Sequence, residues 1–129
     1  MRLIREGEDM FMLKRLVLAA VIMLAASLTR EAQAGFVSGW DLLEICKANP
    51  NDPSWRIKAA QCSGYVIGVA DTFDCKNALH GFHWDSTTTT SQQILVKKVI
   101  TWLNDHPQTL NHEADGLIAA ALGESFPCR

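Results

Sequence analysis

Residues 53–73, PSWRIKAAQCSGYVIGVADTF, constrain the fold more than any other stretch. Trp55, Ala59, Cys62, Val66, Val69 and Phe73 recur at intervals of four and three, which aligns them on one face of an α-helix. Asp52 can accept from free first-turn N–H groups and Pro53 suits the first helical position, so the helix is expected to start there. Ala60, Gly64 and Gly68 leave a second stripe almost without side chains. A glycine in a helix interior costs about 1 kcal/mol against alanine, so something must offset the stripe. Tight packing against a neighbouring helix is the expected offset, with a functional groove as the alternative.

The first 34 residues read as a secretory signal peptide. Lys14 and Arg15 precede an apolar run over 16–28, and Ala32-Gln33-Ala34 supplies the small residues a signal peptidase requires, with cleavage expected before Gly35. The run is shorter than the roughly 20 residues of a membrane-spanning helix. Met10 or Met12 would serve equally as the start, since the acidic residues at 6, 8 and 9 are unusual ahead of a basic leader. The expected mature part, residues 35–129, suffices for one small domain. It carries seven Lys and Arg against ten Asp and Glu. That balance lacks the basic stripe of a nucleic-acid binder and suits a basic partner. No membrane association is expected after cleavage.

All four cysteines, Cys46, Cys62, Cys75 and Cys128, fall in the mature part, and an even count in an oxidising compartment predicts two disulfides. Cys62 and Cys75 are separated mostly by helix rising about 1.5 Å per residue, too far for the roughly 7 Å limit between bridged Cα atoms. Excluding that pair leaves Cys46–Cys62 with Cys75–Cys128 preferred, and Cys46–Cys75 with Cys62–Cys128 open.

Around the central helix the rest reads as helices too. Ser38-Gly39-Trp40-Asp41 has capping-box form, and Trp40, Leu43 and Cys46 or Ala48 predict a short amphipathic helix. Residues 49–53 are turn chemistry and make a helical hairpin. Residues 74–91 read as one long loop, and loops of that length are often functional. A second capping box at 90–93 opens a helix carrying Leu95, Val96, Val99, Ile100, Trp102 and Leu103, which His106-Pro107 ends near Asp105. Asn111 is placed to cap a last helix with Ala114, Leu117, Ile118, Ala121 and Leu122 apolar. No window shows strand alternation. The expected fold is all-α: one small disulfide-stapled domain of four to five short helices around 53–73.

Catalytic chemistry finds no footing. No nucleophile elbow and no C-x-x-C-H haem motif occur, and Asp71 with Asp74 reads as a solvated helix end. His80, His83 and Asp85 have ligand types that suit zinc, but one histidine pair in a loop is a weak signal, and neither metal nor cofactor is expected. The stronger reading is that His80, Phe82, His83, Trp84 and Asp85 protrude from the scaffold to fill a partner's cleft, because buried aromatic anchors carry much of an interface's energy. The plainer alternative folds Phe82 and Trp84 back onto the core.

Several segments together resemble the Rap/Tai family of bacterial immunity proteins: Leu42-Leu43-x-x-Cys46, Cys62-Ser63-Gly64-Tyr65-Val66-x-Gly68-Val69-x-Asp71, Trp102-Leu103-x-x-His106-Pro107, and Ala120-Ala121-Leu122 through Phe126-Pro127-Cys128. The resemblance covers nearly the whole mature part. It implies a small, periplasmic, disulfide-bonded helical protein, often dimeric, that is not an enzyme and blocks a peptidoglycan-cleaving amidase toxin of type VI secretion by occlusion. The sequence departs from the family pattern after Cys75, where 76–90 is longer and lacks proline. The inhibitory contact is expected on 80–85, and alanine at Phe82 and Trp84 is expected to spare the fold and weaken toxin binding. A periplasmic helical chaperone or acid-stress protein, or an envelope protein of this fold without a toxin partner, would share the leader, size and disulfides. An adjacent amidase-like reading frame separates immunity from both.

Overall fold

The computed structural model describes residues 2–26, 35–88 and 91–129. Ala32, Gln33 and Ala34 of the expected cleavage site lie outside the described residues, as do Thr89 and Thr90. The helices are α1 (Arg2–Ala26), α2 (Gly39–Cys46), α3 (Trp55–Ala70), α4 (Gln92–Asp105) and α5 (Ala114–Ser125), with a 3-10 turn at Pro107–Thr109. Among the described residues there is no strand, only isolated bridges between Ser38 and Glu113 and between Leu79 and Phe82. The chain divides into two units, Met1–Ala34 and Gly35–Arg129. In the first, the Arg15 guanidinium lies 4.2 Å over the Phe11 ring, and no described helix is long and apolar enough to cross a membrane.

The second unit holds the core. Ser38 and Asp41 form the expected capping box, the Asp41 N–H donating to Ser38 Oγ and the Ser38 N–H to Asp41 Oδ2 at 2.9 Å. The buried face of α2 is Leu42 and Leu43, whereas Trp40, expected inside, is 53% exposed and donates its indole N–H to Asn111 Oδ1. Two turns of helix are too few for periodicity to tell which apolar residue faces in.

The central helix is shorter than expected. Asp52 accepts from the Ser54 N–H, the Ser54 hydroxyl and the Lys58 ammonium, bonds that hold its carboxyl down to about 2. It thereby closes a turn ahead of the helix, and α3 begins at Trp55. Cys62, Val66 and Ala70 form its buried line and Phe73 continues the core beyond its end, while Trp55 and Ala59 are half-buried. The expectation that Ala60, Gly64 and Gly68 pack against a neighbouring helix is corrected. All three are exposed, and a methyl group at Gly64 or Gly68 would meet nothing within 4 Å. The neighbours α2, α4 and α5 are engaged by the opposite face, and of the three Gly64 borders an open groove of about 560 Å³ with Val37, Asp41, Ile45, Gln61 and Tyr65.

The deepest element is α5. Leu117, Ile118, Ala119, Ala120, Ala121 and Leu122 are buried in succession, which requires partners on every side, and α3 and α4 provide them. Its cap is Glu113 rather than Asn111. The Ser91 hydroxyl accepts from the Ile94 N–H and opens α4, one residue after the predicted start, and Leu95, Val99 and Leu103 face inward. At the other end of α4, Trp102 stacks on His106 at 4.0 Å and donates its indole N–H to Glu124 Oε2 on α5 at 2.7 Å. Disulfides join Cys46 to Cys62, tying α2 to α3, and Cys75 to Cys128, tying the loop after α3 to the chain's end.

Candidate functional site: the loop between α3 and α4

Backbone bonds shape the loop from its first residue. The Asp71 N–H closes α3 on the Ile67 carbonyl at 2.9 Å, and the Thr72 hydroxyl donates to the Val69 carbonyl at 2.7 Å. Asp74 Oδ1 then accepts from the N–H groups of Asn77 (2.8 Å) and Lys76 (2.7 Å), which hold its carboxyl below the usual range and turn the chain just before Cys75 is anchored by its disulfide.

The tip is a two-residue hairpin turn. Leu79 and Phe82 exchange both backbone hydrogen bonds, at 3.0 and 2.8 Å, and between them His80 has φ 50° and Gly81 φ 83°. Positive φ at both central residues is the type I′ signature, the geometry that matches strand twist. His80 has a side chain in the left-handed region, and its ring is tied down: Nε2 lies 2.8 Å from Asp115 Oδ2 on the first turn of α5. Burial pushes the Asp115 carboxyl up, but hydrogen bonds from His80 and the Gly116 N–H outweigh it and leave the carboxyl below its ordinary value. Phe82 is 40% exposed beside the tip.

Beyond the tip the chain turns inward. Trp84 is 5% exposed, packs between the rings of Phe73 (6.2 Å) and Phe126 (6.1 Å), and donates its indole N–H to the Phe73 carbonyl at 2.6 Å and the Ala70 carbonyl at 3.3 Å. The Asp85 N–H donates to the Phe126 carbonyl at 2.8 Å, and Asp85 Oδ1 accepts from Thr87. The loop lies so close to α5 that a methyl group at Gly123 would sit 2.9 Å from the His83 carbonyl.

The five residues grouped by sequence therefore separate. Trp84 is corrected from a protruding anchor to part of the core: its N–H donates to carbonyls at the end of α3 and its rings pack tilted against Phe73 and edge-on against Phe126, leaving no face for a partner. The expectation that alanine at Trp84 would spare the fold is overturned with it. His80, Phe82 and His83 remain exposed and Asp85 partly so. As a ligand set His80, His83 and Asp85 are not brought together, since each is committed elsewhere: His80 to Asp115, His83 Nδ1 to the Asp74 carbonyl (3.2 Å), Asp85 to Thr87. Among the described residues no group of three His, Cys, Asp or Glu side chains is arranged to hold a metal. Sequence reasoning missed Asp115, Gly123 and Phe126 as the loop's supports. The one available signal was His80-Gly81, a dipeptide suited to positive φ.

The loop is thus held at its start by a disulfide and at its tip by α5. A family model of the Rap1a immunity proteins matches residues 38–128. The chain belongs to the Rap1a immunity protein family. The match runs from the capping serine of α2 to Cys128, so it includes both disulfides and the whole loop. No curated protein matches the chain. A Rap1a immunity protein has a toxin-immunity role, exercised on a toxin partner.

Proposed function

We propose that the exported chain resides in the periplasm and acts without catalysis, protecting the cell by seating the hairpin tip at 79–83 in the cleft of a peptidoglycan amidase delivered by type VI secretion. The observation that carries this reading is the preorganised tip. A type I′ turn, the His80–Asp115 contact and the Cys75–Cys128 bridge fix Phe82 before any partner arrives, which spares the ordering cost that a flexible loop would incur on binding. An aromatic residue held half-exposed on such a support suits a hot spot, where truncation costs about 2 kcal/mol or more. Phe82→Ala is expected to weaken inhibition of the cognate amidase roughly thirtyfold while the melting temperature stays within a few degrees. A titration of amidase activity on peptidoglycan reads this directly, and undiminished inhibition would move the contact elsewhere.

The same reading includes a homodimer through the exposed stripe. Ala60, Gly64 and Gly68 lie open beside Ile57, itself 64% exposed, and small residues let a second helix approach closely. A Cβ at Gly64 or Gly68 meets no described atom within 4 Å, so leucine has open space to enter at both sites, and it raises helix propensity by close to 1 kcal/mol per site. The double variant is therefore expected to stay folded and to sediment as a monomer where the parent sediments as a dimer. A monomeric parent would remove the dimer from the reading.

A further inference from the structure

The segment before α2 is zipped onto the segment before α5. The Gly39 N–H donates to the His112 carbonyl (3.0 Å), the Ala114 N–H to the Val37 carbonyl (2.9 Å) and the Trp40 N–H to the Leu110 carbonyl (3.1 Å). This pairing delivers the Gly35 nitrogen to 2.9 Å from Glu113 Oε1. The fit is close: a methyl group at Gly35 would lie 2.5 Å from Glu113 Cγ and 2.6 Å from Cδ, so the Glu113 side chain would have to move aside for it.

We propose that Glu113 is the receptor for the α-ammonium that leader removal creates at Gly35. The proposal rests on the reading that the leader is cleaved between Ala34 and Gly35. Hydrolysis there consumes one water and breaks the Ala34–Gly35 C–N bond. The oxygen of that water goes to Ala34, which departs as a carboxylate on the leader. The Gly35 nitrogen is left as an amine that, with an ordinary pKa of roughly 7.7–8.0, takes up a proton at neutral pH. The contact to Glu113, an amide N–H to a carboxylate in the precursor, becomes an ion pair without any atom of the fold moving. Maturation thus tightens the clasp between the two segments.

The titratable groups on the elements packed here are Asp41 and Glu44 on α2, Arg56, Lys58 and Tyr65 on α3, Glu113, Asp115 and Glu124 on α5 and its cap, and His112 ahead of α5, and of these Glu113 is the one bonded to the Gly35 nitrogen. The Asp41 carboxylate is committed to the N–H and hydroxyl of Ser38, which leaves Glu113 to meet the new charge. A carboxylate at this distance favours the ammonium form and raises its pKa. The sign follows: the pair's contribution is full below the unfolded value near 8 and is lost as pH rises through the folded value.

The test uses the full chain, expressed for export and purified from the periplasm. Intact mass identifies the first residue, and isotope-detected NMR of labelled glycine follows its titration. The expected result is a chain beginning at Gly35 whose amine titrates about one pH unit above the roughly 7.7–8.0 of a free α-amino group. Two folded variants are expected to return it to that range: Glu113→Gln, which removes the charge, and Gly35→Ala, whose methyl displaces the Glu113 side chain and whose own amine is followed with labelled alanine. A mass beginning at another residue overturns the proposal together with the cleavage reading. A chain beginning at Gly35 whose amine titrates normally, or identically in Glu113→Gln, overturns the ion pair alone.

Discussion

Trp84→Ala is expected to cost the domain about 3–5 kcal/mol, the range for removing a large buried aromatic side chain. For a unit of this size the whole stability is on the order of 5–14 kcal/mol, and the melting temperature should fall by roughly 15–30 °C. The size of the effect follows from what the indole does. It fills the space between Phe73 and Phe126, one just after α3 and the other just after α5, and its N–H satisfies two carbonyls where α3 ends. Trp84→Phe separates these roles, keeping a ring and losing the donor, and should cost about 1–3 kcal/mol for the unsatisfied carbonyls. Phe82→Ala, two residues away and half-exposed, serves as the comparison and should move the melt by only a few degrees. Thermal denaturation followed by circular dichroism decides the matter: equal losses at Trp84 and Phe82 would mean that the indole does not sit in the core.

That contrast marks where sequence stops being legible. Trp84 and Phe82 are both aromatic and lie two residues apart in one loop, and no period in the loop distinguishes them. What sends Trp84 inward is the pair of carbonyls at the end of α3, and those are placed by tertiary packing. Regular elements were readable because their signals are local. Ser38 and Asp41 close a box within four residues, Pro107 stops α4 by sterics within one residue, and Leu95, Val99 and Leu103 repeat along a full face of α4. The stripe at Ala60, Gly64 and Gly68 is an intermediate case. Its small residues announce room for a close approach, but the register that decides whether the approaching surface belongs to the same chain depends on α2, α4 and α5 taking the other face. The tip is legible only in part: His80-Gly81 suggests a tight turn, whereas Asp115, 35 residues away, becomes its support only once α5 is in place.

Removing the Cys75–Cys128 bridge should weaken stability and inhibition together, whereas removing Cys46–Cys62 should weaken stability alone. In the loop-entropy picture, a bridge between residues 53 apart in sequence contributes roughly 4 kcal/mol and one between residues 16 apart roughly 3 kcal/mol. Together these approach the entire stability expected of so small a unit, so full reduction should leave the fold marginal at 37 °C. The two bridges differ in what else they hold. Cys46–Cys62 joins helices that already pack through Leu42, Leu43 and Val66, and its loss leaves the loop's supports in place. Cys75–Cys128 pins the start of the loop to the segment that supplies Phe126, the ring against Trp84 and the carbonyl that accepts from Asp85. Without it the tip loses one of its anchors and must be ordered on binding, which raises the entropic cost of the complex. Alanine pairs at each bridge, compared in a melt and in amidase inhibition at a temperature where both remain folded, test the distinction. Equal inhibition by the two variants would show that the tip is fixed by Asp115 and Trp84 without the staple.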